Sequence, residues 1–344
     1  MNKGPVVEKL HHFMFDQRTF PVVMEEGELC FPQLLNASCR RPNHRRFEVV
    51  FVNILLTFIS VLTTGLNLLV IITISYYRKL HSSTNLLLLS LAVSDFMIGL
   101  LQIPVEILIF NGCWFLGDIV CALNSFLGFV TSSVSVGNML LISVDRYLAI
   151  CEPMYYPTKV TVAAVRLCVC LCWILSVIYS SWIVRDLFTK PDRYLTCFGE
   201  CVVAISYIEG TVDFLLTFVG PITVIIVLYM RVFVVAVSQA RAMRSHVVAF
   251  KPQSSATANK SELKAARNLG VVVVVFLLCF SPYYICSVTG ANSLDSLFQI
   301  WLLYFNSCLN PVIYALFYPW FRKAIKHIIT LQILQPGSCE ANIL

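Results

Sequence analysis

Charge is scarce in this sequence. Only 13% of its 344 residues are Asp, Glu, Lys or Arg, about half the share of an ordinary soluble domain. With 58% hydrophobic residues and a mean hydropathy of +0.78, the apolar excess belongs in lipid rather than in a water-soluble core. Several signatures are also missing. There is no Gly-rich phosphate loop, no metal-ligand cluster and no internal repeat, so nucleotide-driven and metal-dependent chemistry have nothing to rest on. Ser, His and Asp residues do not gather at one depth, which argues against an intramembrane enzyme. The residues after Met1 lack the apolar core of a signal peptide, because His11, His12, Asp16 and Arg18 interrupt them. The first hydrophobic helix is therefore expected to act as the insertion signal. The net charge of +6 needs no nucleic-acid partner, since basic residues orient membrane helices.

What is present is a set of long apolar runs. The most informative is Cys121 to Cys151, since no charged residue lies between Asp118 and Asp145. At about 1.5 Å rise per residue such a run crosses a hydrocarbon layer of roughly 30 Å as a tilted helix. Its Gly, Ser and Asn content suits close packing and cross-helix hydrogen bonds. Six more spans are expected, near Glu48–Tyr77, Asn85–Ile109, Thr161–Val184, Val202–Met230, Lys264–Val288 and Leu297–Tyr318. Seven is odd, so the termini lie on opposite faces. Arg78, Lys79, Lys159, Arg166, Arg231, Arg322, Lys323 and Lys326 share one face, which places the C-terminus in the cytosol and the N-terminus outside. The basic tail around Arg40, Arg41, Arg45 and Arg46 opposes this, and the other loops outvote it. The fold expected is an all-α seven-transmembrane helix bundle with an extracellular N-terminus and an amphipathic eighth helix. Residues 1–46 form the outer tail, 47–319 the bundle and 320–344 a cytoplasmic surface helix and tail. Arg241 to Ser261 reads as a polar cytosolic loop.

Asn36-Ala37-Ser38 is a glycosylation sequon on the outer side, whereas Asn259-Lys260-Ser261 falls in the cytosol. Cys30, Cys39, Cys113, Cys121, Cys197 and Cys201 fall outside, where disulfides persist. The close pair Cys197 and Cys201 also admits a zinc knuckle, although no histidine is near. Cys339 is a candidate for palmitoylation.

Marker residues recur in every span. Gly65-Leu66-Asn67, Leu91-Ala92-Val93-Ser94-Asp95, Trp114-Phe115-Leu116-Gly117, Asp145-Arg146-Tyr147, Trp173, Pro221 with Tyr229, Cys279-Phe280-Ser281-Pro282 and Asn310-Pro311-Val312-Ile313-Tyr314 occur in order. Together they resemble the rhodopsin-like (class A) G-protein-coupled receptors. The run Asn306 to Phe321, and Cys30-Phe31-Pro32 leading to Asn36-Ala37-Ser38-Cys39, resemble the trace amine-associated receptors. The resemblance implies a plasma-membrane receptor for a small amine, active in olfaction, that raises cyclic AMP through a stimulatory or olfactory G protein. It also implies disulfides Cys121–Cys201 and Cys39–Cys197.

An amine receptor needs a buried carboxylate, because an unpaired charge in hydrocarbon is expensive. The usual acid stands eighteen residues before the Arg of Asp-Arg-Tyr, and here that position is Gly128, which is expected to leave space. Asp213, eight residues before Pro221, is the replacement, and the same exchange marks a subset of fish trace amine-associated receptors. The bland alternative is a carboxylate satisfied by local hydroxyls. Glu209, one turn earlier, reads as a solvated rim residue, with a role in attracting a cation as the alternative; Glu106 is a second acid for a diamine or a mouth residue in water. By resemblance Phe280, Tyr283, Tyr284 and Tyr304 face the pocket as aromatic walls for a cation. Asp95, Ser135, Asn306 and Asn310 match the class's sodium site, with a hydrated polar network as the alternative. Asp145, Arg146, Tyr147, Tyr229, Asn310, Pro311 and Tyr314 form the expected activation switch toward the G protein. Gly128 also leaves open a class A receptor for a non-amine. A transporter would need repeated halves, and none is found.

Overall fold

A computed structural model describes residues 28–34, 38–40, 46–189, 197–201, 205–246, 270–271, 273–285, 295–335 and 338–340. The Asn36 sequon, the Asn259-Lys260-Ser261 sequon, the start of the sixth span at Lys264, and Cys286 to Val288 lie outside the described residues. Helix α1 spans Arg46–Tyr76. Ser82 caps α2 by accepting from the Asn85 amide, and segments Ser83–Met97, Ile98–Gln102 and Ile103–Phe110 continue as one rod. Helix α3 spans Gly117–Cys151. Helix α4 spans Val162–Ile183, opened by Thr161, whose side chain accepts from the Ala164 amide. In α5, segments Tyr207–Asp213, Phe214–Val219 and Gly220–His246 run together. Helix α6 is described over Val273–Ile285, α7 spans Asp295–Phe317 and α8 spans Pro319–Ile329.

Five of these helices, α1 to α5, are long and apolar enough to cross a membrane among the described residues. Helix α3 is the hub, packed against α2, α4 and α5, while α1 packs on α2 and α7. The core runs through Leu87, Leu91, Met139, Ile142, Ile225, Phe276 and Phe280. Helix α8 buries Trp320, Phe321 and Ala324 beneath the bundle and exposes Arg322, Lys323 and Lys326, as an amphipathic surface helix does. Ser206 and Glu209 form a capping box at the start of α5, so the fifth helix begins at Tyr207 rather than Val202. It also runs on to His246, so the first residues of the expected Arg241–Ser261 loop are helical. No Gly or Pro between Tyr229 and His246 interrupts it.

The middle segments of α2 and α5 widen to π-helix just ahead of Pro104 and Pro221. Proline has no N–H to offer the carbonyl one turn back and its ring crowds that carbonyl, so the ladder loosens there. In α5 this loosened stretch begins immediately after Asp213.

On the outer face, disulfides join Cys30 to Cys113, Cys39 to Cys197 and Cys121 to Cys201. The Cys39 amide donates to the Phe198 carbonyl at 2.8 Å and the Trp114 amide to the Gly199 carbonyl at 2.9 Å. Residues 197–201 are thus tied at once to the tail, the α2–α3 turn and the top of α3. Cys39, Cys197 and Glu200 lie close together, but the two sulfurs are bonded to each other. Cys201 is likewise bonded to Cys121, so the zinc-knuckle alternative is overturned: a metal needs free thiolates.

Helices α1 and α2 approach closely at Gly99. Ser60 donates to the Gly99 carbonyl at 2.7 Å, and a Cβ at Gly99 would lie 2.8 Å from Thr64 Oγ1 and 2.9 Å from its backbone nitrogen. Nothing lies within 4 Å of a Cβ at Gly65. Gly99→Ala should therefore lower stability by about 1–3 kcal/mol, seen as a lower melting temperature in detergent. Gly65→Ala should be neutral or mildly stabilising by the same measurement.

Candidate functional site

Asp213 is 8% exposed, at the interface of α4, α5 and α6. Tyr179 on α4 donates to its Oδ1 at 2.6 Å, and Thr217, one turn on, lies 3.1 Å from the same oxygen. Thr217 also donates to the Asp213 carbonyl at 2.5 Å and shares a hydrogen bond with the Tyr284 hydroxyl at 2.7 Å. No Lys or Arg among the described residues pairs with Asp213. Among the described residues the carboxylate therefore has neutral hydroxyl partners and no counter-charge. The spacing of Thr217 from Asp213 made that contact legible; nothing in the sequence singled out Tyr179.

Aromatic rings line the same region. Tyr284 stacks on Phe218 at 4.6 Å, lies 6.1 Å from Phe214, and meets Tyr283 edge-on at 5.1 Å. Phe280 is buried and stacks on Phe276 at 4.2 Å. Tyr283 is half-buried, within electrostatic reach of both Asp213 and Glu106. Glu106, also half-buried, accepts a hydrogen bond from Tyr304.

Two expectations need correction. Gly128 does not leave open space. The buried amide of Gln102 reaches toward it from α2, and a Cβ at position 128 would sit 3.0 Å from Gln102 Nε2. That amide donates to the Asn124 carbonyl at 3.3 Å and accepts from Thr131 at 3.4 Å. Its polarity inside an apolar span was the available signal. Glu209 is not a solvated rim residue. It is 3% exposed and lies 2.6 Å from the Arg185 guanidinium, because the capping box turns its carboxylate back toward Ser206 and the chain after α4.

Deeper in the bundle, Asn310 donates to Asp95 Oδ2 at 2.8 Å, and Ser135 and Ser94 hydroxyls lie 3.2 Å apart. The other Asp95 oxygen and the side-chain oxygen of Asn306 are buried with no hydrogen bond of good geometry among the described residues, and Ser307 also lies within reach of Asp95. Pro311 sits inside α7 beside this cluster. At the cytosolic end Arg146 pairs with Asp145 and contacts Thr84. Thr84 donates to Asp145 Oδ2 at 2.9 Å and Tyr156 to Oδ1 at 2.8 Å. Burial holds the Tyr156 hydroxyl above its ordinary pKa, so it stays a donor. Thr84 and Tyr156 carry no sequence signal, since they lie on other elements. Tyr147 is half-buried, and the buried hydroxyls of Tyr229 and Tyr314 have no hydrogen-bond partner among the described residues.

Comparison with known proteins agrees with this geometry. The family described as 7 transmembrane receptor (rhodopsin family) matches residues 66–314. Trace amine-associated receptor 13c of Danio rerio is 34% identical over 331 residues, covering 93% of this chain and 97% of that protein. Trace amine-associated receptor 8b of Rattus norvegicus is 35% identical over 333 residues, covering 92% and 96%. Trace amine-associated receptor 6 of Pan troglodytes is 35% identical over 333 residues, covering 92% and 95%. The protein is thus a multi-pass receptor of the plasma membrane with its N-terminus outside, and not an enzyme. The chain belongs to the rhodopsin family of seven-transmembrane receptors and, within it, to the trace amine-associated receptors.

Proposed function

We propose that this receptor detects a small protonated amine whose ammonium group pairs with Asp213. The observation that carries the reading is a buried carboxylate with hydroxyl partners and no cation. An ammonium ion supplies the missing charge and up to three donors. Phe214, Phe218, Tyr283 and Tyr284 give it aromatic walls. Gln102 lies over the third-helix position where the commoner acid would stand, which favours α5 as the anchoring helix. Glu106 beside Tyr304 is the second acid for a ligand with two amino groups. The reading places the receptor with the olfactory members of its family, including the fish subset that lacks the third-helix acid, and couples it to a stimulatory or olfactory G protein.

In the mechanism that follows, the agonist favours a state in which Arg146 leaves Asp145 and Thr84. Tyr229 and Tyr314 have hydroxyls free to meet it or the G protein. Asp95, Ser135, Asn306 and Asn310 would hold a sodium ion, and the two orphaned oxygens of Asp95 and Asn306 suit a hard cation. Sodium would supply positive charge beside Asp95 and favour the inactive packing.

Two measurements test this. Asp213→Ala, matched for surface expression, should raise the half-maximal amine concentration in a cyclic-AMP reporter at least a hundredfold, since removing one partner of a buried pair costs about 3–5 kcal/mol. An unchanged response would place the ligand charge elsewhere, with Glu106 next. Sodium should raise the melting temperature of the purified wild type and not of Asp95→Asn; equal shifts in both would remove the ion from this account.

A further inference from the structure

Helix α5 carries two acids one turn apart, Glu209 and Asp213, in very different electrostatic settings. Asp213 meets hydroxyls alone. Glu209 meets Arg185, whose guanidinium lies 2.6 Å from its Oε1. That contact is ionic rather than a well-directed hydrogen bond, because the same oxygen lacks one of good geometry. Glu209's other oxygen accepts from the Ser206 amide at 3.1 Å and hydroxyl at 2.8 Å. Arg185 is held from behind. It donates to the Trp182 carbonyl at 3.0 Å, sits over the Trp182 ring at 5.2 Å, and lies 3.6 Å from Asp186. It follows α4, the helix whose Tyr179 holds Asp213.

Resting on the amine reading above, we infer that Arg185 determines how many positive charges α5 recognises. By acting as the built-in counter-ion of Glu209, it leaves Asp213 as the single acid on this helix open to a ligand cation. Side chains at this spacing lie about 5–6 Å apart at their Cβ atoms, a separation that the two ammonium groups of a short diamine can span. Without Arg185, Glu209 becomes a second uncompensated carboxylate beside the first and favours the doubly charged ligand. With Arg185 present, a second ammonium near Glu209 meets a guanidinium and is repelled. The residue thus acts as an element of selectivity against short diamines bound along α5.

The test compares diaminobutane with butylamine, within a wider amine panel, in the cyclic-AMP reporter with surface expression monitored. Arg185→Gln should improve the potency of diaminobutane relative to butylamine by about tenfold, the scale of one charge-assisted hydrogen bond. Arg185→Lys keeps the charge and should keep the wild-type ratio. Glu209→Gln preserves the capping box and leaves the Arg185 guanidinium uncompensated, so it should lower the diaminobutane-to-butylamine ratio or leave it no higher, while in the Arg185→Gln background it should abolish the gain. A ratio unmoved by Arg185→Gln, in a receptor whose response still depends on Asp213, overturns this inference and leaves the amine reading standing. A gain that survives in the double variant also overturns it. Silence of the wild type to every amine in the panel overturns both.

Discussion

A carboxylate removed from water needs a counter-charge, and Asp213 in the outer half of this bundle has none among the described residues. Asp213 is held by Tyr179 and Thr217, which solvate the charge without neutralising it. Isolated charge in a low-dielectric setting is costly, so its presence makes sense where a cation arrives from outside. The neighbouring acid shows the contrast. Glu209, a turn away, is as deeply buried and has an arginine on it. The loosened π-helical stretch after Asp213 and the Tyr284–Thr217 hydrogen bond connect the acid to α6. Under the proposed anchoring at Asp213, a ligand on α5 would bias the α6 packing by this route.

The same logic repeats toward the cytosol with different partners. Asp95 shares one oxygen with Asn310, and the other has no hydrogen bond of good geometry among the described residues. Asp145 is saturated, by Arg146, Thr84 and Tyr156 drawn from α3, α2 and the turn after α3. Of the three acids, only Asp145 has a counter-charge among the described residues. The saturated one restrains Arg146, and the incompletely satisfied ones offer places for cations. Tyr229 and Tyr314, buried with idle hydroxyls, are groups that a second arrangement of the bundle can satisfy.

Much of this was legible from the chain alone because membranes impose simple rules. Long uncharged runs give the helices, basic loops give the orientation, and a lone acid in an apolar run such as Asp213 marks a place where chemistry is needed. What was not legible depends on how helices are rotated against each other. Gly128 looked like vacant space because a sequence does not show that Gln102 crosses from α2 to cover it. Glu209 looked solvated because its partner, Arg185, lies beyond the end of another helix. Tyr179, Thr84 and Tyr156 are ordinary residues until the fold brings them to a carboxylate. The extra length of α5 was missed because polar residues from Arg241 onward read as loop, although a cytosolic helix end tolerates them equally well.

The most direct test of the central claim is an experimental structure of the receptor with an activating amine bound. The account predicts the ligand nitrogen about 2.7–2.9 Å from a carboxylate oxygen of Asp213, beside the rings of Tyr283 and Tyr284. A nitrogen paired with Glu106 alone, or seated against Gln102 and Gly128 with Asp213 still held only by Tyr179 and Thr217, would contradict it.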